Sequence, residues 1–154
     1  MLLDNSQFIP PDPLLEKTRD WFFCWLMRRT CTRRDAAEYL KKREIDEDMI
    51  ETLLAEAEDL RLLNDAAYGT LFAAGHESWG RNRIAFELGR RGLSEDDIQT
   101  ALEAVDEEER LRALIPSWQK GGLEERKIIA RLYRRGFSSR SIRSVWRAIH
   151  EENP

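Results

Sequence analysis

The feature that most constrains this chain is a segment it carries three times. "LKKREIDEDMIETLL" begins at Leu40, "LGRRGLSEDDIQTAL" at Leu88 and "LYRRGFSSRSIRSVW" at Leu132. Each copy has a leucine, a basic cluster, an apolar residue (Ile45, Leu93, Phe137), a polar capping residue, and an isoleucine (Ile50, Ile98, Ile142). Recurrence every forty-odd residues marks stacked supersecondary units that share a core with their neighbours.

The local physics of the segment is helix, tight turn, helix. Gly92 and Gly136 follow basic clusters, where a glycine in the left-handed conformation closes a helix and arginines suit its negative end. Ser94 then caps the next helix, with Glu95, Asp96 and Asp97 at its positive end. Ile98, Ala101, Leu102 and Val105 follow at helical spacing. Ile142, Val145, Trp146 and Ile149 repeat it, as do Ile50, Leu53, Leu54 and Ala57. The first copy has Glu44 in place of the glycine, so a different or strained turn is expected there.

Each pair is preceded by a further helix. Asp12-Pro13 suits a helix start, with Leu15, Phe22, Trp25 and Leu26 turned inward as far as about Arg29. Asn64 caps a second such helix carrying Tyr68, Leu71 and Phe72. A third carries Leu111, Leu114, Ile115 and Trp118, and Pro116 should kink or end it. Thr32 and Asp35 have capping-box spacing. The expected fold is all-α: three tandem three-helix repeats in an elongated, curved array. Their boundaries fall at 13–60, 61–106 and 107–154, after a flexible N-terminal segment over 1–12. The aromatic residues at helical spacing read as core; Trp79, in a loop, fits that reading least.

Function classes narrow quickly. Cys24 and Cys31 form no CxxC and no disulfide framework, which suits two small residues in a reducing cytosol. No secretory leader is visible and no apolar run approaches a membrane span, so a cytoplasmic, monomeric protein with no membrane partner is expected. His76 and His150 lack metal-ligand spacing, and no phosphate loop, dinucleotide fingerprint or nucleophile elbow is present. The chain reads as a non-enzyme without metal or other cofactor.

Charge carries more information. The net charge is −4, so contact with an acidic partner must come from a local patch. Acidic residues gather from Glu44 to Asp65 and from Glu95 to Glu109. Basic residues gather in the middle helices: Arg33, Arg34, Lys41, Lys42 and Arg43, then Arg81, Arg83, Arg90 and Arg91, then Arg126, Lys127, Arg131, Arg134 and Arg135. Mutual neutralisation explains the first two repeats. It fails for the third, whose last helix is also basic through Arg140, Arg143 and Arg147. The candidate partner-binding cations are those of the second and third repeats. A helix–turn–helix reader of DNA is conceivable for one Gly turn, but repeat packing explains all three.

Two stretches also resemble a known family. In "LLNDAAYGTLFAAGHESWGRNRIAFELGRRGLSEDDIQTALE", Leu63, Asp65 and Tyr68, then Gly80, Ile84 and Leu88, then Arg90, Arg91, Gly92 and Leu93 are similar to the central signature of the RecX regulatory family. "RKIIARLYRRGFSSRSIRSVW" resembles its C-terminal signature through Lys127, Leu132, Arg134, Arg135, Gly136, Phe137 and Ile142. "CWLMRRTCTRRDAAEYLKKREID" matches more loosely. Asn64 before Asp65, Glu44 at the turn and the acidic net charge depart from the family pattern. The resemblance implies a non-enzymatic regulator that lies along the RecA–DNA filament. Such a regulator would suppress RecA ATPase, strand exchange and co-protease activity in recombination, DNA repair and the SOS response. The alternatives are a nucleic-acid-binding module acting on single- or double-stranded DNA without RecA, and a helical adaptor for another protein.

Overall fold

The computed structural model describes residues 12–152, and these contain nine helices and no strand. The flexible segment expected over 1–12 lies, apart from Asp12, outside the described residues. The helices are α1 (Pro13–Met27), α2 (Arg33–Lys42), α3 (Glu47–Asp59), α4 (Asp65–Gly75), α5 (Arg81–Arg90), α6 (Glu95–Glu103), α7 (Glu107–Lys120), α8 (Glu125–Arg134) and α9 (Ser139–Glu152). They fall into two compact units, Met1–Asn64 and Asp65–Pro154.

The repeated segment is one helix-closing motif built three times. Its basic cluster ends α2, α5 and α8. The next residue takes positive φ: 60° at Glu44, 89° at Gly92 and 85° at Gly136. The apolar residue beyond it donates its N–H back to the repeat leucine, Ile45 to Leu40 O, Leu93 to Leu88 O and Phe137 to Leu132 O. Glu44, Gly92 and Gly136 donate to Lys41 O, Gly89 O and Tyr133 O, which completes the paired closure of a helix C-terminus. Glu44 therefore makes the same turn as the glycines, with a side chain in the left-handed region. Glu44→Gly is expected to stabilise the first unit by about 1 kcal/mol; a urea melt of the two proteins checks this.

In the first unit α1, α2 and α3 surround Phe22, Leu26, Leu40, Ile50, Leu53, Leu54 and Ala57. Asp12 caps α1 by accepting from Leu14 N–H at 2.9 Å, and Pro13 occupies the first turn. Thr32 and Asp35 form the reciprocal capping box of α2. Arg33 pairs with both Glu51 and Glu58 of α3, so basic α2 and acidic α3 do neutralise each other here. Arg19 of α1 grips Glu56 with two hydrogen bonds, 2.5 and 2.9 Å, which raises the arginine's pKa above its ordinary value.

The second unit holds two apolar clusters. One, from α4, α5 and α6, centres on Ile84, Leu88, Ala101 and Leu102. The other, from α7, α8 and α9, centres on Leu111, Ile115, Ile128, Leu132 and Ile142. The structure adds two details to the sequence reading. Leu71 points outward, 65% exposed, while Gly69 and Ala73 face inward. The reason is close approach: a Cβ on Gly69 would stand 3.0 Å from Leu93 and 3.2 Å from Ala101, so α4 meets α6 through its small residues. Pro116 does not end its helix; α7 continues to Lys120. The lost backbone hydrogen bond and ring clash, about 3 kcal/mol, are offset by the apolar face that runs past it, Leu111 and Ile115 to Trp118.

Candidate partner interface

All twelve candidate cations lie in the second unit, and their surroundings divide them. Arg83, Arg91, Arg131 and Arg135 are laid against aromatic rings. The Arg83 guanidinium sits 4.0 Å above Trp79, and Arg91 4.7 Å above Phe72 while it donates to the Tyr68 hydroxyl at 2.8 Å. Arg131 and Arg135 both cover Trp118, at 5.1 and 5.3 Å, and Arg135 donates to Ser78 Oγ at 2.6 Å. These four are engaged within the unit, Arg91 while remaining exposed. Trp79 is half-buried, covered by Arg83, tilted against His76 at 4.1 Å and edge-on to Phe72 at 5.9 Å.

Arg81 and Arg90 are exposed but have acidic company. Arg90 pairs with Glu87 at 3.3 Å. Arg81 lines a recess with Glu103, Asp106, Glu107 and Glu108.

The remaining six are exposed: Arg126, Lys127 and Arg134 on α8, and Arg140, Arg143 and Arg147 on α9. The α9 arginines, at i, i+3 and i+7, share one helix face. With Ser144 they line a shallow groove of about 330 Å³ in which no lining residue is acidic. Position along α9 explains this. Ile142 and Val145 turn into the core, which sends the arginines between them outward. At the helix start, Ser138 accepts from Ser141 N–H, so that end is capped by a hydroxyl rather than a carboxylate.

Two further charged residues are structural: Glu107, within the acidic stretch from Glu95 to Glu109, and Arg110, which belongs to none of the basic clusters. Glu107, 6% exposed, accepts from the backbone N–H of Arg81 at 2.7 Å and from the Ser138 hydroxyl at 3.0 Å. Arg110 donates to three carbonyls, Ala73, His76 and Trp79, at 3.0, 2.9 and 3.1 Å. It thereby satisfies the end of α4 and the loop that follows, and loss of hydration lowers its pKa. Beside them, Gly80 and Asn82 donate to the carbonyls of Arg135 and Gly136. The start of α5 thus sits directly on the turn between α8 and α9. This polar joint, with the two apolar clusters, makes α4 to α9 one body.

Among the described residues no group of three or more His, Cys, Asp or Glu is placed to hold a metal, and no helix is long and apolar enough to cross a membrane. Fold and charge together define an all-helical protein of three-helix domains with a cationic groove along α9. Residues 64–102 match the model of the RecX second three-helix domain. The regulatory protein RecX of Streptomyces coelicolor is 32% identical across 93% of this chain and 83% of its own length; that of Halorhodospira halophila is 27% identical across 90% and 91%. The crystal structure of RecX from Lactobacillus salivarius superposes with a TM-score of 0.78 at 21% identity, covering 88% of this chain and 96% of that one. The chain belongs to the RecX family of regulatory proteins.

Proposed function

We propose that this chain is a non-enzymatic regulator that binds the RecA–DNA filament and restrains its ATPase, strand exchange and co-protease activity. Membership of the RecX family carries the reading, and the exposed cations of α8 and α9 support it, because a RecA–DNA filament presents phosphates and acidic protein surface. Arg126, Lys127, Arg134, Arg140, Arg143 and Arg147 are the contacts proposed. Arg81, Arg90 and Arg91, which are also exposed, are proposed as further contacts, and Arg83, Arg131 and Arg135 as contacts that are braced against rings of the unit. The repeats are proposed to divide at 13–60, 61–106 and 107–154, and the protein to act as a cytoplasmic monomer.

The test is ATP hydrolysis by preformed RecA filaments on single-stranded DNA. Addition of this protein lowers the rate, and an unchanged rate at saturation refutes the reading. Arg134→Glu should weaken the effect roughly tenfold with helicity intact, one lost charge-assisted contact being worth about 1.5–3 kcal/mol. Arg135→Glu should lower the melting temperature as well, because it removes the covering of Trp118 and the bond to Ser78.

A further inference from the structure

The first unit carries a run of aromatic rings and cations on the flank of its core. On α1, Lys17, Trp21 and Trp25 stand four residues apart, which places them along one helix face, and Arg29 follows just beyond the helix end. Tyr39 stands on α2 and Arg43 is that helix's C-cap. The side chains form a continuous ladder. Trp25 and Tyr39 stack at 3.7 Å with 11° between planes, and Trp21 follows at 5.4 Å from Tyr39. Arg29 covers one end, 4.2 Å from Trp25, and also donates to the Trp25 carbonyl. Arg43 covers the other, 4.7 Å from Trp21 and 4.5 Å from Tyr39. The three rings are half-buried and pack against the core that contains Phe22, Leu26 and Leu40.

Beyond Arg43 the ladder opens into a cleft of about 380 Å³ lined by Leu14, Lys17, Thr18, Trp21, Arg43 and Ile45. It is apolar with two cations, and none of these residues is acidic. The acidic residues of the same α1 turns, Glu16 and Asp20, act instead on Arg19, which is paired with Glu56.

We propose that this ladder is a binding site for single-stranded nucleic acid, with bases on the rings and phosphates on Lys17, Arg29 and Arg43. Magnitudes favour the exchange. An exposed cation–π contact contributes about two- to fivefold in equilibrium terms, whereas a base stacked on an aromatic side chain contributes about five- to a hundredfold. A base that displaces Arg43 or Arg29 from its ring therefore gains, and the released guanidinium is left beside the phosphate that follows the base. Flat rings capped by cations at both ends suit a strand of stacked bases better than a peptide, which would need a deeper apolar pocket. This site is separate from the cations of α8 and α9 and does not depend on RecA.

The test uses the full chain and two fluorescein-labelled probes, a fifteen-nucleotide oligothymidylate and an abasic sugar–phosphate strand of equal length and charge. Stacking predicts that the thymidylate quenches tryptophan fluorescence and binds at least tenfold more tightly than the abasic strand. That preference should fall to less than threefold in Trp21→Leu/Tyr39→Leu, which removes two of the rings, whereas Lys17→Gln/Arg43→Gln, which removes phosphate contacts, should weaken both probes alike. Equal binding of the two probes, or a preference unchanged in the ring variant, overturns the proposal. Should circular dichroism show the ring variant unfolded, Trp25→Leu takes its place, with the same two outcomes.

Discussion

Gly136→Ala is expected to destabilise the second unit by about 3–4 kcal/mol, lowering its melting temperature by roughly 15 °C. Two effects add. Gly136 has φ 85°, a conformation that costs a residue with a Cβ about 1–2 kcal/mol. The added carbon would also collide with the backbone and Cβ of Arg83 in the first turn of α5. Such overpacking costs about 1–3 kcal/mol. Three other glycines separate the terms. Gly122 has φ 82° but open space around it, so alanine there should show the conformational cost alone. Gly80 is extended at φ −86°, but its Cβ would meet the backbone of Gly136 and Phe137, so alanine there should show the collision alone. Gly75 ends α4 with nothing within 4 Å, and its replacement should be neutral or stabilise by about 0.5 kcal/mol. Thermal melts of the four variants give the order 136, 80, 122, 75. A Gly136→Ala melt no lower than that of Gly122→Ala would mean that α5 can move away from the α8–α9 turn at no cost.

Much of this fold was legible in the sequence because its signals are local. The Thr32–Asp35 box, the Ser94 cap, the glycine closures and the apolar stripes of α3, α6 and α9 all act within one or two helical turns, and spacing alone reports them. The features that were not legible act between repeats. By hydrophobicity alone Leu71 would turn inward. That place belongs to Gly69 and Ala73, whose smallness matters only once Ala101 and Leu93 of other segments are set against them. Glu44 reads in the sequence as a sign of a different or strained turn, and the second alternative holds: the left-handed geometry is dictated by the Ile45-to-Leu40 closure and is imposed on whatever residue stands there. Of the candidate cations, Arg83, Arg91, Arg131 and Arg135 look identical in sequence to those that meet no ring. Only the positions of Trp79, Phe72 and Trp118 distinguish them. The family resemblance was legible for a related reason, since its signatures consist largely of the caps and closures that local physics also marks.

Glu107 and Arg110 show what such long-range polar contacts contribute, and substituting them is the second large effect expected. Arg110→Ala leaves the carbonyls of Ala73, His76 and Trp79 without their donor. Glu107→Ala leaves the Arg81 N–H and the Ser138 hydroxyl without their acceptor. Each should cost about 2–3 kcal/mol, the range for hydrogen bonds to a charged group whose loss strands partly buried partners. Glu107→Gln should cost less, because an amide oxygen still accepts from one of the two donors. The double variant decides whether these are separate capping bonds or one joint. Both residues stand one turn apart on α7 and reach the segment from Ala73 to Arg81, so loosening either should free part of what the other holds. The double variant is then expected to fall short of the sum of the single costs by at least about 1 kcal/mol in a chemical-denaturation cycle. Strict additivity would mean that the end of α4 and the start of α5 are anchored independently. In that case the cations on either side of the joint would be free to shift relative to one another, and a fixed binding surface on this unit would have to be built from α8 and α9 alone.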